Sequence, residues 1–184
     1  MKKKNSYLII TDADKRLKEL CNQGMKKLFG KRPPQAVKDR LAHELKIVKR
    51  NGHASIYLLA CLLSQEAERL HHVIFFRGVI TSSLIAYTGG FSKVNPMEPE
   101  YGGVYLPFET TREEFEKREP ELEIQCGAAF IFYAQAFLCR ELPEYRYIAY
   151  PRKGNAGIQT IRLYFVKLED VPAVKSYFWC KFIF

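Results

Sequence analysis

The first third of the chain carries apolar side chains at helical spacing. Apolar positions recur every three or four residues along three successive stretches, which predicts three helices that each bury one face. Thr11 or Asp12 is the expected cap of the first helix. Pro33-Pro34 opens the second helix, Asn51-Gly52 ends it, and a third helix is expected over residues 54–70.

A strand and a glycine turn follow these helices. Val73 to Phe76 are apolar, which predicts a short buried strand, and Arg77-Gly78 breaks it. The next apolar run begins at Leu84, predicts a short helix, and ends at Gly89-Gly90. Three hydroxyl residues stand directly before that run and offer caps for it, namely Thr81, Ser82 and Ser83.

This layout is typical of a phosphate-binding turn. Free N–H groups at the start of a helix and the helix dipole favour an anion, and Arg77 could add a bidentate contact to it. On this hypothesis Gly78, Ser82 and Ser83 line the anion site beside Arg77. The alternative is an ordinary strand-to-helix turn whose serines only cap, and the layout by itself favours that alternative because short motifs often match by chance.

The second half of the chain alternates strands and helices. Residues 128–141 are so apolar that a buried helix is expected, and residues 157–168 fit strand or helix, with the β-branched residues favouring strand. The aromatic tail 177–184 is either a closing core strand or a dimer interface. Further strands are expected at 104–108, 121–124 and 145–150, with a charged helix between the first two.

The charge balance indicates an acidic partner. The 184 residues carry a formal net charge of +9 and a pI near 9.3, and nucleic acid is the commonest partner of such a surface. Several cations lie around the junction of the first two predicted helices, where they are either a sequence-nonspecific phosphate-contacting patch or ordinary solubility charge. These are Lys26, Lys27, Lys31, Arg32, Lys38 and Arg40.

Other features argue against several classes of protein. No run of about 18 uninterrupted apolar residues is present, so no membrane span is expected. The five cysteines are widely spaced without a C-x-x-C pair, which argues against a zinc site or a disulfide framework. Small buried thiols in a reducing compartment are the simpler interpretation, and we therefore expect a cytoplasmic protein.

Between Tyr7 and Tyr150, short segments occur in an order and spacing that a known family shares. They are residues 31–45, 52–58, Arg77-Gly78 with Ser82-Ser83, and then 94–101, 106–110 and 120–124. In these segments the chain resembles the stretch leading into and through the palm of the PolC-type DNA polymerase III alpha subunit. The last three are similar to that family's V-N-P-L-P-P-H-Y, I-P-F-E-T and P-D-I-D-L.

The resemblance implies a fold and a chemistry. The family's palm is a nucleotidyltransferase of the DNA polymerase beta kind, in which two aspartates bind metal ions and a serine-glycine loop holds the incoming triphosphate. By this resemblance Glu121 and Glu123 are the catalytic residues and metal ligands. Magnesium or manganese would be the cofactor of an active domain, with none otherwise. DNA and a nucleoside triphosphate are the implied partners.

The chain departs from the family at these same positions. Both aspartates are glutamates, whose extra methylene displaces each carboxylate by about 1.5 Å. A misplacement near 1 Å can cost on the order of a hundredfold in rate. The loop has Val79 and Thr81 where the family has serine and glycine, and a β-branched residue does not easily take the backbone angles of glycine. The family's third catalytic aspartate has no obvious counterpart.

The sequence therefore predicts an α+β, polymerase palm-like fold, with a mixed sheet and a helical N-terminal lobe. Residues 1–70 are the expected lobe and residues 71–184 the palm-like region, together one compact unit. The expected function is a stand-alone, degenerate palm domain that binds nucleic acid and is not an efficient polymerase. Two alternatives stay open: an active metal-dependent nucleotidyltransferase using Glu121 and Glu123, and a protein-interaction module that keeps only the fold.

Overall fold

A computed structural model describes residues 8–98, 122–152 and 158–167 of the chain. The helices of these segments are α1 Ala13–Phe29, α2 Gln35–Arg50, α3 Ala54–Arg69, α4 Leu84–Thr88 and α5 Ala128–Glu141. The strands are β1 Ile74–Arg77, β2 Leu122–Gly127, β3 Tyr145–Arg152 and β4 Ile158–Lys167. The strand expected at 104–108, the charged helix after it, the aromatic tail and Glu121 all lie outside the described residues.

The strands form one sheet in the order β1-β2-β4-β3, which confirms the α+β class. Each strand pair in the described segments is antiparallel, whereas a mixed sheet was expected. The alternation that predicted β2 is present, because Leu122, Ile124 and Cys126 are buried and the residues between them are partly exposed. The strand interpretation of residues 157–168 is confirmed by β4.

Helix α3 is the centre of the helical part. It contacts α1, α2, α4, α5 and β1, and all eight residues from Ala54 to Cys61 are buried. A helix that is surrounded in this way is apolar on every side at its buried end, as the sequence of α3 is. The helices approach closely at Gly24, where an added Cβ would lie 1.8 Å from the carbonyl oxygen of Thr88 in α4.

The buried core is continuous from the first described residues to the sheet. It includes Leu8 before α1 and Leu163 in β4. The hydroxyl of Tyr145 accepts a hydrogen bond from the Ile9 N–H at 2.9 Å and donates one to the Ile9 carbonyl at 3.3 Å, which ties the start of the chain to β3. The boundary proposed at residue 70 stays a prediction. None of the described helices is long and apolar enough to span a bilayer.

Several local predictions are wrong, each for a physical reason. Asp12 precedes α1, but its φ of 55° turns it into the left-handed region and its side chain makes no capping bond. The strand predicted as buried is exposed at Phe75 (56%), because Phe75 lies on the same sheet face as its pair partner Gln125, and the core covers the other face. Helix α5 buries only one face, so the exposed Cys139 departs from the expectation of buried thiols.

Candidate phosphate and nucleic-acid site

The turn after β1 is closed by its own backbone and by a threonine. Strand β1 continues through Arg77, and the break comes at Gly78, whose φ of 88° is a conformation that glycine adopts readily. A 3-10 helix, Val79–Ser82, follows and was not predicted. Both the N–H and the hydroxyl of Thr81 donate to the Gly78 carbonyl, at 3.2 and 2.8 Å. The Thr81 side chain thus stabilises a tight turn.

Ser83 is a buried helix cap. Its Oγ accepts a hydrogen bond from the Ala86 N–H at 2.8 Å and donates to the Ile80 carbonyl at 3.3 Å. The capping prediction is therefore confirmed for Ser83, and its hydroxyl is engaged on both sides. Ser82 is only partly buried, as is Thr81. The role of these residues in phosphate binding stays a prediction.

The anion at the start of α4 is supplied by the chain itself. Glu44 of α2 is fully buried, and its Oε2 accepts a hydrogen bond from the Ile85 N–H at 3.1 Å. On the other side, Arg40 Nε donates to Oε1 at 2.6 Å. The Ile85 N–H is thus already bonded to a carboxylate and the Ala86 N–H to the Ser83 hydroxyl, so neither is free for a phosphate.

The ionisation of Glu44 reflects two opposed effects. Burial raises the pKa of this carboxyl group above its ordinary value, whereas Arg40 and the backbone N–H groups lower it part of the way back. Sequence reasoning missed this residue, but a signal was present. Glu44 occupies the position between Leu41 and Val48 at which the helical period of α2 requires an apolar residue, and Arg40 stands four residues before it.

Arg77 and Glu123 are brought together by the pairing of β1 with β2. They are directly opposite each other in the register, and Arg77 Nε lies 3.8 Å from Glu123 Oε1. Both side chains reach the surface, and 3.8 Å is longer than a hydrogen bond, so this is a loose ion pair. The structure therefore juxtaposes one predicted phosphate ligand with one predicted catalytic carboxylate.

The described residues do not provide the donor set of a metal site. No group of three or more His, Cys, Asp or Glu side chains suited to a metal ion occurs among residues 8–98, 122–152 and 158–167. Glu123 is the one member of the predicted carboxylate pair in these segments, and a guanidinium group lies beside it. Because Glu121 lies outside the described residues, the role of the pair as metal ligands stays a prediction, and we derive no reaction step through a metal.

The predicted basic patch consists of one half-buried cation, Arg40, and five exposed cations. Lys26 and Lys27 lie in the last turn of α1, and Arg40 is half-buried because it is bound to Glu44. The remaining cations of the patch are exposed, and no ion pair is formed by them within the described part of the chain. We call this set the α1–α2 corner: Lys26, Lys27, Lys31, Arg32 and Lys38.

The sequence that forms this site matches a known protein family. Residues 15–127, more than half of the chain, match the family described as the bacterial DNA polymerase III alpha NTPase domain. The matched segment contains the buried Glu44, the turn after β1 and the Arg77–Glu123 pair.

Individual relatives give the same result. The chain is 34% identical over 92 residues to the PolC-type DNA polymerase III of Oceanobacillus iheyensis. This match covers 50% of this chain and 6% of that protein. The corresponding protein of Thermotoga petrophila is 33% identical over 101 residues, covering 55% of this chain and 7% of that protein. That of Staphylococcus aureus is 36% identical over 89 residues, covering 48% and 6%. The chain thus aligns with only a small part of these relatives, and it belongs to the bacterial DNA polymerase III alpha NTPase domain family.

Proposed function

We propose that the chain is a degenerate palm domain that binds nucleic acid through the α1–α2 corner and is not an efficient polymerase. The observation that carries this proposal is the occupation of the start of α4 by the buried Glu44 carboxylate. A triphosphate at this turn would have to share its backbone donors with an anion that is already in place. Two anions in one desolvated site repel each other, so triphosphate binding here is disfavoured.

The exposed cations are available to a polyanion instead. The cations of the α1–α2 corner are exposed and without ion pairs among the described residues, and the chain has a net charge of +9. Cations of this kind contact phosphates without reading sequence, so the expected ligand is a nucleic-acid backbone, of DNA in the first place. The proposal also implies the cytoplasmic location that the sequence predicts.

The Arg77–Glu123 ion pair, which lies on the strand side of the turn, supports the loss of efficient polymerisation. Arg77 lies against Glu123, so the guanidinium group partly neutralises the one described carboxylate of the predicted catalytic pair. A carboxylate that serves a cation in its own protein is a weaker ligand for a divalent metal, and the extra methylene of glutamate already displaces it.

Fluorescence anisotropy of a labelled primer–template duplex tests the binding proposal. The triple variant Lys26→Gln, Lys27→Gln, Lys31→Gln removes three charges from the α1–α2 corner, and we expect it to weaken binding at least tenfold at low salt. The matched control removes three exposed cations elsewhere, by Lys46→Gln, Arg50→Gln and Lys93→Gln. Equal loss in both variants would leave only a nonspecific attraction by net charge and would contradict a defined surface.

An active nucleotidyltransferase is the second candidate, and one observation favours it. The β1–β2 register sets Arg77 opposite Glu123 next to the glycine turn, which is the juxtaposition that a triphosphate and a catalytic carboxylate require. Incorporation of a labelled nucleotide on a primer–template, with magnesium or manganese, separates the candidates. Incorporation that is abolished by both Glu121→Ala and Glu123→Ala would establish the second candidate. No incorporation together with duplex binding supports the first.

A further inference from the structure

An exposed leucine lies among the cations of the α1–α2 corner. Leu28 belongs to the last turn of α1, directly after Lys26 and Lys27 and three residues before Lys31, and it is 44% exposed. The cations account for contacts to phosphates, but an apolar side chain at the surface adds nothing to such contacts. A single exposed leucine is ordinary, so its meaning depends on the groups beside it.

Two half-buried aromatic residues lie beside these cations. Phe29 is the last residue of α1, and its ring centroid lies 6.0 Å from that of Tyr87 in α4, at an interplanar angle of 77°. Both residues pack against the core but are only partly buried. Lys26 stands three residues before Phe29 in the same helix, so the two side chains are neighbours on its surface. We call Leu28, Phe29 and Tyr87 the apolar edge of the corner.

The hydroxyl group of Tyr87 is accessible to solvent. No hydrogen bond involves it within residues 8–98, 122–152 and 158–167, and Asn51 Oδ1 is the one buried side-chain oxygen or nitrogen atom there that lacks a partner. The Tyr87 hydroxyl therefore reaches the surface, whereas Phe29 and the core hold the ring in place. A ring that is fixed in this way loses little conformational freedom when a second planar group stacks on it.

A single-stranded nucleic acid offers both kinds of group that this surface can bind. In a duplex the bases are stacked on each other, so a surface outside the grooves meets mainly phosphate and sugar. An unpaired base exposes a flat apolar face, and stacking on an aromatic side chain raises affinity on the order of tenfold or more per base. Charge alone predicts the opposite preference, because a duplex has the higher phosphate density. A preference for single strands would therefore report the apolar edge and not the cations.

We propose that the α1–α2 corner binds single-stranded nucleic acid more tightly than a duplex of the same length, with the phosphates on its cations and an unpaired base against the apolar edge. This inference rests on the proposed function, since it names the class of nucleic acid that the same surface prefers. Helix α4 contacts α1, and the ring contact with Phe29 sets Tyr87 beside the basic last turn of that helix. Because every base has such a face, the preference does not depend on sequence.

Fluorescence anisotropy with three labelled ligands of equal length tests the inference on the full chain. They are an oligothymidine of about 12 nucleotides, a duplex of that length, and a strand of abasic deoxyribose phosphates, all at one low salt concentration. We expect the oligothymidine to bind severalfold more tightly than the duplex and about tenfold more tightly than the abasic strand. The abasic strand has the same phosphates without bases, so it isolates the contribution of the cations.

Two variants of the apolar edge and two matched controls locate the base. Leu28→Gln should weaken oligothymidine binding severalfold and Tyr87→Leu about tenfold, and both should leave binding of the abasic strand unchanged. Val94→Gln alters a residue of similar exposure (45%), and Tyr133→Leu alters an exposed tyrosine of α5, both outside the apolar edge. Neither control should change the affinity for any of the three ligands. If Tyr87→Leu does not fold, Leu28→Gln decides, because Leu28 lies at the surface.

The results separate this inference from the proposed function. A duplex or an abasic strand that binds as tightly as the oligothymidine, or unchanged oligothymidine affinity in Leu28→Gln, would overturn the inference. If the Lys26, Lys27, Lys31 triple variant still weakens binding of every ligand in those cases, the proposed function stands. No binding of any ligand, or no effect of the triple variant, would refute both.

Discussion

Removal of the Glu44 carboxylate should destabilise the fold far more than removal of an exposed carboxylate. Glu44→Ala leaves the N–H group of Ile85 without an acceptor in a buried environment. One unsatisfied buried donor costs about 1–3 kcal/mol. Arg40 is 31% exposed and can turn towards water, so leaving it without its carboxylate partner adds little to this cost. We therefore expect Glu44→Ala to lower the free energy of unfolding by about 3 kcal/mol, near the lower end of values for breaking a buried pair.

Two further variants make this prediction sharper. Glu44→Gln keeps one acceptor for the α4 N–H groups, so its cost should be smaller, about 1–2 kcal/mol. Glu141→Ala breaks the exposed Arg140–Glu141 ion pair, whose Nε–Oε1 distance is 3.0 Å, and should change stability by less than about 1 kcal/mol. Urea unfolding followed by circular dichroism at constant m-value gives all three numbers. A Glu44→Ala variant as stable as Glu141→Ala would refute the claim that this carboxylate holds the start of α4.

Three other predictions follow from packing, ionisation and exposure. Gly24→Ala places a Cβ against the α4 backbone and should cost about 1–3 kcal/mol in urea unfolding, whereas Gly127→Ala, which has open space, should be tolerated. The pKa of His53 is lowered by burial, so the unfolded state binds this proton first and stability should fall as pH drops from about 6.5 to about 4. After screening by solvent, the loss is roughly 1–2 kcal/mol, and His53→Gln should remove it while His43→Gln should not. Maleimide labelling read by peptide mass spectrometry should modify Cys139 before Cys21, Cys61 and Cys126.

Each of these predictions has a contradicting result. Equal unfolding free energies for Gly24→Ala and Gly127→Ala would mean that α1 and α4 do not approach as closely as described. An unchanged pH slope in His53→Gln would assign the acid sensitivity to other groups. Early labelling of Cys21 or Cys61, whose pKa values are raised by burial, would show that the helical core opens under native conditions.

Long periodic segments were predictable from the sequence, whereas partners across the fold were not. Helices α1, α2 and α3 follow from apolar spacing over 16 or 17 residues each, and β2 follows from strict alternation. The buried Glu44 carboxylate bonds an N–H group 41 residues away, and a single sequence does not reveal such a contact. The helical spacing of apolar residues places Glu44 on the core side of α2, but it does not show which groups bond to its carboxylate.

Exposure was the other quantity that the sequence did not determine. The apolar run before Arg77 fits a strand covered on one face or on both, and Phe75 is exposed because it lies with Gln125 on the face opposite the buried Phe76 and Ile124. In α5 the composition is apolar almost throughout, so periodicity could not show that only Phe130, Ala134, Phe137 and Leu138 are buried. The Arg77–Glu123 pair could not be predicted because strand register is set by tertiary packing.

Binding of nucleic acid through the α1–α2 corner should make the affinity for a duplex depend on salt concentration. Duplex affinity is measured by anisotropy over a range of salt concentrations for the chain and for the Lys26, Lys27, Lys31 triple variant. We expect a linear fall of log affinity with log salt, with a slope shallower by on the order of 2–3 in the variant, since each duplex phosphate contact contributes about 0.9. Flat anisotropy at every salt concentration, or equal slopes for both proteins, would contradict binding through this surface and favour a palm-derived domain that acts through protein contacts.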